Sequence, residues 1–122
     1  MNRVLLIEDN EITNFISREV LKKEGFTEVH EVLNGMEAYK FLEKDCPDII
    51  FLDINMPVMD GWEFLKEKES KALCKNVKIF VLTSSGHPDD KIKASSYTSV
   101  IEYFEKPLTK EKLEIVKKKI AC

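Results

Sequence analysis

The 122-residue sequence lacks several features that would assign it to a specialised environment. Its three cysteines, Cys46, Cys74 and Cys122, are an odd number without metal-ligand spacing, so we expect reduced thiols in a cytoplasmic protein. No apolar run reaches the length needed to cross a membrane, and the first residues do not have the pattern of a signal peptide. These absences argue against a disulfide scaffold, a zinc site and a membrane protein.

The sequence also lacks an excess of positive charge. Lysine and arginine total 19 against 22 aspartates and glutamates, a net charge of −3, so neither nucleic acid nor a membrane surface is an expected partner. Hydrophobic residues make up 43% and charged residues 34%, as in an ordinary globular protein. No repeat or low-complexity segment interrupts the chain, so we expect a single domain over residues 1–122.

Short apolar runs, typical of buried strands, alternate with segments of helical spacing. The predicted helices begin after the cap residue Asn10, near Met36, Trp62 and Asp89, and after the cap residue Thr109. The predicted strands are Arg3–Ile7, Thr27–Val32, Ile49–Leu52, Val77–Leu82 and Val100–Phe104. Five strand–helix units predict an α/β fold, a doubly wound parallel sheet of five strands with helices on both faces.

Polar side chains follow four of the five predicted strands. Glu8 and Asp9 follow the first, Asp53 the third, Thr83 the fourth and Lys106 the fifth. Each alone has an ordinary explanation, such as a helix terminus, a turn or a solvated loop. Because the functional crevice of a parallel sheet lies at the carboxyl ends of its strands, the set predicts one convergent site.

Three carboxylates that converge on one point require a cation. At about 4 Å and an effective dielectric constant near 20, each pair repels by roughly 4 kcal/mol. Oxygen ligands without thiolate or imidazole favour Mg²⁺, with Mn²⁺ as a plausible substitute, over zinc. A hydroxyl and a lysine could then bind phosphoryl oxygens, so the set predicts phosphoryl transfer to Asp53 as a covalent acyl phosphate.

Four segments, in this order and spacing, resemble the CheY-like receiver domain of two-component response regulators. They are Leu5–Asn10, Phe51–Gly61, Val81–Ser84 and Tyr103–Pro107. The resemblance extends from about Arg3 to Ile120 and implies a flavodoxin-like fold with strand order 2-1-3-4-5.

The resemblance also implies how the acceptor and the metal are held. Asp53 would be the phosphoacceptor and a metal ligand, and Asp9 would bind Mg²⁺ directly. Glu8, where an aspartate is commoner, would act nearby or through water. Asn55 would offer its backbone carbonyl to the metal, and its side chain would lie over the site.

Further residues would respond to the phosphoryl group. Lys106 would pair with it, Thr83 would move towards it, and Tyr103 would change rotamer or exposure with it. Asn55 and Ser85 would tune its lifetime by lying over the path of the attacking water.

The resemblance implies a signalling switch of a His-Asp phosphorelay rather than an enzyme. The phosphoryl donor would be a sensor histidine kinase or a histidine phosphotransfer protein, and a further, unidentified protein would be the target. The signalling surface would comprise Asp89–Ser96, Val100–Glu105 and Thr109–Ile120, on a monomer or a weak, phosphorylation-dependent dimer.

Two other classes use a similar topology. A haloacid-dehalogenase-type phosphatase also has a strand-end aspartate and Mg²⁺, but it needs a second acid two residues later, where this chain has Asn55. A flavodoxin-like FMN carrier would have a Ser/Thr/Gly-rich phosphate loop after the first strand. This chain has the acidic segment Glu8–Glu11 there, which repels phosphate unless a metal intervenes.

Overall fold

The computed structural model describes residues 2–121, in which five strands alternate with five helices. The strands are β1 (Arg3–Ile7), β2 (Glu28–Val32), β3 (Ile49–Leu52), β4 (Lys78–Thr83) and β5 (Val100–Glu105). The helices are α1 (Glu11–Lys23), α2 (Gly35–Lys44), α3 (Gly61–Lys71), α4 (Pro88–Ser95) and α5 (Lys110–Ile120). All predicted elements are present, with ends that differ by one or two residues from those expected.

The strands form one parallel sheet in the order β2-β1-β3-β4-β5. The predicted fold class and strand order are therefore confirmed. Ile7 pairs with Leu52, and Leu52 pairs with Val81. This register aligns the carboxyl ends of β1, β3 and β4 at one edge of the sheet.

Successive residues of the central strands face opposite sides of the sheet, which gives the domain a core on each face. The runs are apolar throughout because both faces are covered by helices. The core towards α1 and α5 includes Leu6, Phe51, Phe80, Leu21 and Val116. The core towards α2 and α3 includes Leu5, Ile50, Ile79, Leu42 and Phe64.

Side-chain caps fix where the helices begin. Asn10, Asn34, Asp60 and Thr109 each accept a hydrogen bond from the backbone N–H three residues later. The predicted caps at Asn10 and Thr109 are thus confirmed. Gly25, just after α1, has a φ of 92°, a left-handed conformation that favours glycine.

The apolar residues of helix α1 mark its buried face only in part. Asn14, Ser17 and Leu21 are buried, whereas Ile12 and Phe15 are 72% and 56% exposed. Apolar spacing therefore predicted the helix correctly, but it did not distinguish the buried Leu21 from the exposed Ile12 and Phe15.

The expectation of reduced thiols is wrong for two of the three cysteines. Cys46 and Cys74 form a disulfide, with their Cα atoms 5.5 Å apart. Cys46 lies just before β3 and Cys74 just before β4, and these strands are neighbours in the sheet. The fold therefore brings together cysteines that are 28 positions apart in the sequence. The third, Cys122, lies outside the described residues.

No helix within residues 2–121 is long and apolar enough to cross a lipid bilayer. The Ser95–Ser99 segment begins at the last residue of α4 and continues into a turn in which the Val100 N–H donates to the Tyr97 carbonyl at 3.1 Å. Tyr97 stacks on Trp62 of α3, with their ring centroids 6.4 Å apart.

Candidate functional site

The strand-end side chains singled out in the sequence lie at one edge of the sheet. The Asp53 N–H donates to the Ile7 carbonyl at 3.0 Å, which places Glu8 and Asp53 on adjacent strands. The Lys106 N–H donates to the Thr83 carbonyl at 2.8 Å, which places Thr83 and Lys106 side by side at the ends of the neighbouring strands β4 and β5. The parallel register thus brings β1, β3, β4 and β5 to a common edge, as predicted.

Three carboxylates meet there. One oxygen each from Glu8, Asp9 and Asp53 lie within 4.8 Å of one another. Glu8 and Asp53 are only 5% and 3% exposed, whereas Asp9 is exposed. The chemistry of this donor set, oxygen only and partly open to solvent, fits a hard divalent cation such as Mg²⁺.

Lys106 supplies a positive charge to this group. Its Nζ lies 2.5 Å from Glu8 Oε1 and 3.3 Å from Asp53 Oδ2. The shorter contact is with Glu8, a pairing that the sequence did not indicate. Lys106 therefore acts as the counter-ion of two buried carboxylates at once.

Burial and these ion pairs shift the proton affinities of the site. Burial raises the pKa of Glu8 to about 7, although the hydrogen bond from Lys106 opposes this, and the charge of Asp53 adds to it. Burial lowers the pKa of Lys106, but the hydrogen bond to Glu8 and the charge of Asp53 outweigh it and leave that pKa raised. The charged lysine is thus stabilised by the carboxylates that it neutralises.

The backbone around Asp53 is held by close packing. A Cβ atom on Gly61 would lie 2.7 Å from the Asp53 carbonyl oxygen and 2.6 Å from the Ile54 Cα, so only glycine fits there without a shift. The Gly61 N–H donates to the Ile54 carbonyl at 3.1 Å. The Asn55 N–H donates to Asp53 Oδ1 at 3.2 Å, and the Asn55 residue itself is exposed.

The remaining predicted residues form a chain of contacts that leads from the site to α4. Thr83 is fully buried, and its Oγ1 accepts from the Ser85 N–H at 3.5 Å. The Ser85 hydroxyl donates to Asp90 Oδ2 at 2.5 Å. The Tyr103 hydroxyl donates to the Ser85 carbonyl at 2.6 Å. Ser85 is therefore bonded to α4 and β5 rather than to Glu8, Asp9 or Asp53.

Sequence reasoning missed two supports of the site. Asn14 is buried in α1, and its Nδ2 donates to the Glu8 carbonyl at 3.0 Å. The Asn10 N–H donates to Glu8 Oε2 at 3.1 Å, in addition to the capping role of the Asn10 side chain. A polar residue at helical spacing with Leu21 was the signal that could have identified Asn14.

An acidic cluster and one lysine lie at the carboxyl edge of this doubly wound sheet, where proteins of this class of fold bind their ligands. The family model described as the response regulator receiver domain matches residues 4–117. The chain therefore belongs to the receiver domains of two-component response regulators. As such it is a signalling protein of the two-component systems, and the expected family is confirmed.

Individual relatives agree with this assignment. The chain is 29% identical over 117 residues to sporulation initiation phosphotransferase F of Bacillus subtilis, covering 96% of this chain and 91% of that protein. Some curated relatives are longer proteins: the chain spans 38% of the length of the transcription regulator BvgA of Bordetella pertussis, to which it is 34% identical over 82 residues.

Solved structures show the same fold. A two-component response regulator from Cytophaga hutchinsonii superimposes with a TM-score of 0.91 at 31% identity, covering 98% of this chain and 96% of that one. The receiver domain of a sensor histidine kinase from Pseudomonas aeruginosa superimposes with a TM-score of 0.85 at 25% identity, covering 99% and 98% of the two chains. That structure has a magnesium ion coordinated in its active site cleft.

Proposed function

We propose that this chain is a phosphorylation-controlled switch in which Asp53 accepts a phosphoryl group from a phosphohistidine. The observation that carries the proposal is the buried Asp53 carboxylate, with Lys106 Nζ 3.3 Å away and the Glu8 and Asp9 carboxylates beside it. A carboxylate so placed has a nucleophilic oxygen, a fixed positive charge and a set of oxygen ligands within one site.

Mg²⁺, or Mn²⁺ in its place, would be held by Glu8, Asp9 and Asp53, with the backbone carbonyl of Asn55 as a further ligand. When bound, the metal supplies positive charge that neutralises the phosphoryl oxygens. The acidic cluster supports this, since the three carboxylates carry more negative charge than Lys106 alone can offset.

The transfer step is an in-line displacement at phosphorus. An Asp53 carboxylate oxygen forms the new P–O bond while the P–N bond to the donor imidazole breaks. The electron pair of the broken bond stays on the imidazole nitrogen, which takes up a proton. Lys106 stabilises the charge on the phosphoryl oxygens, and the packing of Gly61 against the Asp53 carbonyl keeps the nucleophile in place. Slow hydrolysis of the acyl phosphate resets the switch.

The same charge change drives the conformational response. The phosphoryl group carries about −1.5 to −2 charge units and three acceptor oxygens, in place of the single negative charge of the free Asp53 carboxylate. Lys106 then has a stronger partner than Glu8. The Thr83 hydroxyl, which accepts from the Ser85 N–H, gains an acceptor for its own proton, and movement of Thr83 towards the phosphoryl group would break its contact with Ser85. Because Tyr103 donates to the Ser85 carbonyl at 2.6 Å, movement of this loop would alter the position of Tyr103. The surface of α4, β5 and α5 would change with it and bind the target.

Two residues are proposed to set the phosphoryl lifetime, and their environments differ. Asn55 is exposed next to Asp53, where its side chain can lie over the approach of water. Ser85 would have to release its hydrogen bond to Asp90 before its hydroxyl could do so. We therefore expect Asn55 to have the larger influence.

The partners follow from the chemistry of the donor. A sensor histidine kinase or a histidine phosphotransfer protein would supply the phosphoryl group in the cytoplasm, and a further protein would recognise the phosphorylated surface. The protein would act as a monomer or as a weak dimer that forms on phosphorylation.

The test is phosphorylation by acetyl phosphate in the presence of Mg²⁺, followed by intact-mass measurement. Wild type is expected to gain one phosphoryl group, and Asp53→Asn none. Asp89→Asn, which removes an 86% exposed carboxylate, is the matched control and should label like wild type. Stoichiometric labelling of Asp53→Asn would sink the assignment. Sustained turnover of an external phosphate ester would instead favour a phosphatase.

A further inference from the structure

The end of β5 is supported by the sheet on one side, because β5 is an edge strand of the sheet that residues 2–121 form, with β4 beside it. The Lys106 N–H donates to the Thr83 carbonyl at 2.8 Å, which joins the start of the β5–α5 connection, residues 106–109, to β4. The Lys106 side chain must keep its place between Glu8 and Asp53. The connection therefore needs a second support, from outside the sheet.

Helix α5 begins with a residue that the start of a helix disfavours. Its cap residue is Thr109, so Lys112 occupies the third helical position. In α2 and α3 the same position holds Glu37 and Glu63, whose carboxylates accept from a backbone N–H at or just before the cap residue. The positive end of the helix dipole favours such an anion and disfavours a cation. A residue that breaks this local preference points to a contact outside its own helix.

The Lys112 side chain makes that contact with the β5–α5 connection. Its Nζ donates to the Glu105 carbonyl at 2.5 Å and to the Pro107 carbonyl at 2.8 Å. These carbonyls belong to the residues on either side of Lys106. The Lys112 N–H donates to Thr109 Oγ1 at 3.2 Å, so the backbone of Lys112 is itself held by the helix cap. One ammonium group thus binds the chain both before and after Lys106.

Helix α5 is a firm base for this contact. Leu113, next to Lys112, and Val116, one turn further on, are fully buried in the core that faces α1 and α5. Leu108, within the connection, is buried in the same core. The Lys112 side chain therefore ties the connection to a packed helix.

We propose that Lys112 is a positioning residue for Lys106, which it holds so that the Lys106 ammonium lies where the phosphoryl oxygens on Asp53 will be. The inference rests on the proposed function of Asp53, since it assigns Lys112 a part in that transfer. Lys106 Nζ lies 3.3 Å from Asp53 Oδ2, and a displacement of about 1 Å can cost about 10²-fold in rate. The bonds of Lys112 Nζ are to backbone carbonyls, so its effect on the transfer passes through Lys106.

The test compares the initial rates at which three variants are phosphorylated by acetyl phosphate with Mg²⁺. Lys112→Met keeps the aliphatic stem but removes the donor, and it should lower the rate by about tenfold. Lys112→Arg keeps a cation that can donate to both carbonyls, and its rate should stay within about twofold of wild type. Lys110→Met removes the same charge from an exposed residue of the same turn and should be phosphorylated like wild type.

A double-mutant cycle separates positioning of Lys106 from a general effect on α5. In a Lys106→Met background, Lys112→Met should cause no further loss of rate, because the group that it positions is absent. A loss by the same factor in both backgrounds would overturn the inference, since Lys112 would then act without Lys106. Urea unfolding of each variant verifies that it is folded under the conditions of the assay.

Exchange of the Lys106 amide hydrogen reports on the connection without phosphorylation. This amide donates to the Thr83 carbonyl, and its exchange should be about tenfold faster in Lys112→Met than in wild type or Lys112→Arg. Either unchanged exchange or an unchanged phosphorylation rate in Lys112→Met would overturn the inference and leave the assignment of Asp53 intact. Absence of phosphorylation in wild type would overturn the proposed function itself, and this inference with it.

Discussion

Two lysines, one at each end of the sheet, show how differently the same fold can accommodate a positive charge. At the carboxyl edge, Lys106 lies between Glu8 and Asp53 and compensates both buried carboxylates. At the amino edge, Lys68 is more deeply buried but has no carboxylate within ion-pair distance among residues 2–121. The first lysine stabilises its surroundings, whereas the second is left with the cost of burial.

The largest effect is expected from removal of the paired lysine. Lys106→Met leaves Glu8 and Asp53 buried together without their counter-ion, and it removes the charge that would meet the phosphoryl oxygens. The initial rate of phosphorylation by acetyl phosphate should fall by about 10²–10³-fold. The free energy of unfolding without Mg²⁺ should also fall by about 2 kcal/mol.

Lys110→Met is the control for this variant. It removes the same charge from an exposed residue at the start of α5. Phosphorylation assays and urea unfolding of both variants complete the comparison. A Lys106→Met protein that is phosphorylated at the wild-type rate would mean that the contact of Lys106 with Asp53 has no role in the transfer.

The second prediction concerns the disulfide between Cys46 and Cys74 at the amino edge of the sheet. A disulfide that links residues 28 positions apart should stabilise the fold by about 3 kcal/mol, because it restricts the unfolded chain. Replacing both Cys46 and Cys74 by alanine should lower the urea midpoint accordingly. Phosphorylation of Asp53 should be unchanged, because the site lies at the other edge of the sheet.

Wild type in reducing buffer should match this double variant, and Cys122 is present in both proteins. Thiol counting by mass spectrometry under non-reducing conditions provides the direct check. Free thiols at both Cys46 and Cys74 in protein that was never reduced would contradict the bond.

The two edges also differ in how far the sequence predicted them. Glu8, Asp9, Asp53, Thr83 and Lys106 were found because each follows an apolar run, and parallel strands bring such positions to one edge. The strand order itself required the resemblance, since local pattern does not determine which strands are neighbours. The roles of all these residues, and those of Tyr103, Asn55 and Ser85, stay predictions.

The features described next could not be predicted from the sequence, and the reasons are again physical. In the sequence, Lys68 is one of several lysines on a predicted helix. Whether it is buried depends on which face of α3 meets the sheet. Cys46 and Cys74 are adjacent only once β3 and β4 pair. Lys106 lies closer to Glu8 than to Asp53 because of side-chain distances that sequence spacing does not determine.

The smallest effect is expected from Lys68, and its sign is opposite to that of Lys106. Lys68→Met replaces the buried lysine side chain by an apolar one of similar volume, so the free energy of unfolding should rise by about 1 kcal/mol. Lys66→Met, on the exposed face, should change it less. Glu69, the next residue of α3, is the one charged group that acts on the pKa of Lys68.

The pH dependence distinguishes the cost of burial from a change in packing. Because burial lowers the pKa of Lys68 in the folded protein below the usual 10.5, the unfolded chain binds more protons between the two values, and the stability of wild type rises with pH there. The advantage of Lys68→Met should therefore be greatest at neutral pH and shrink towards about pH 10. Urea unfolding at both pH values measures it. If the advantage of Lys68→Met stays constant with pH, the charge of Lys68 does not lower the stability of the folded protein. The contrast with Lys106 would then rest on packing alone.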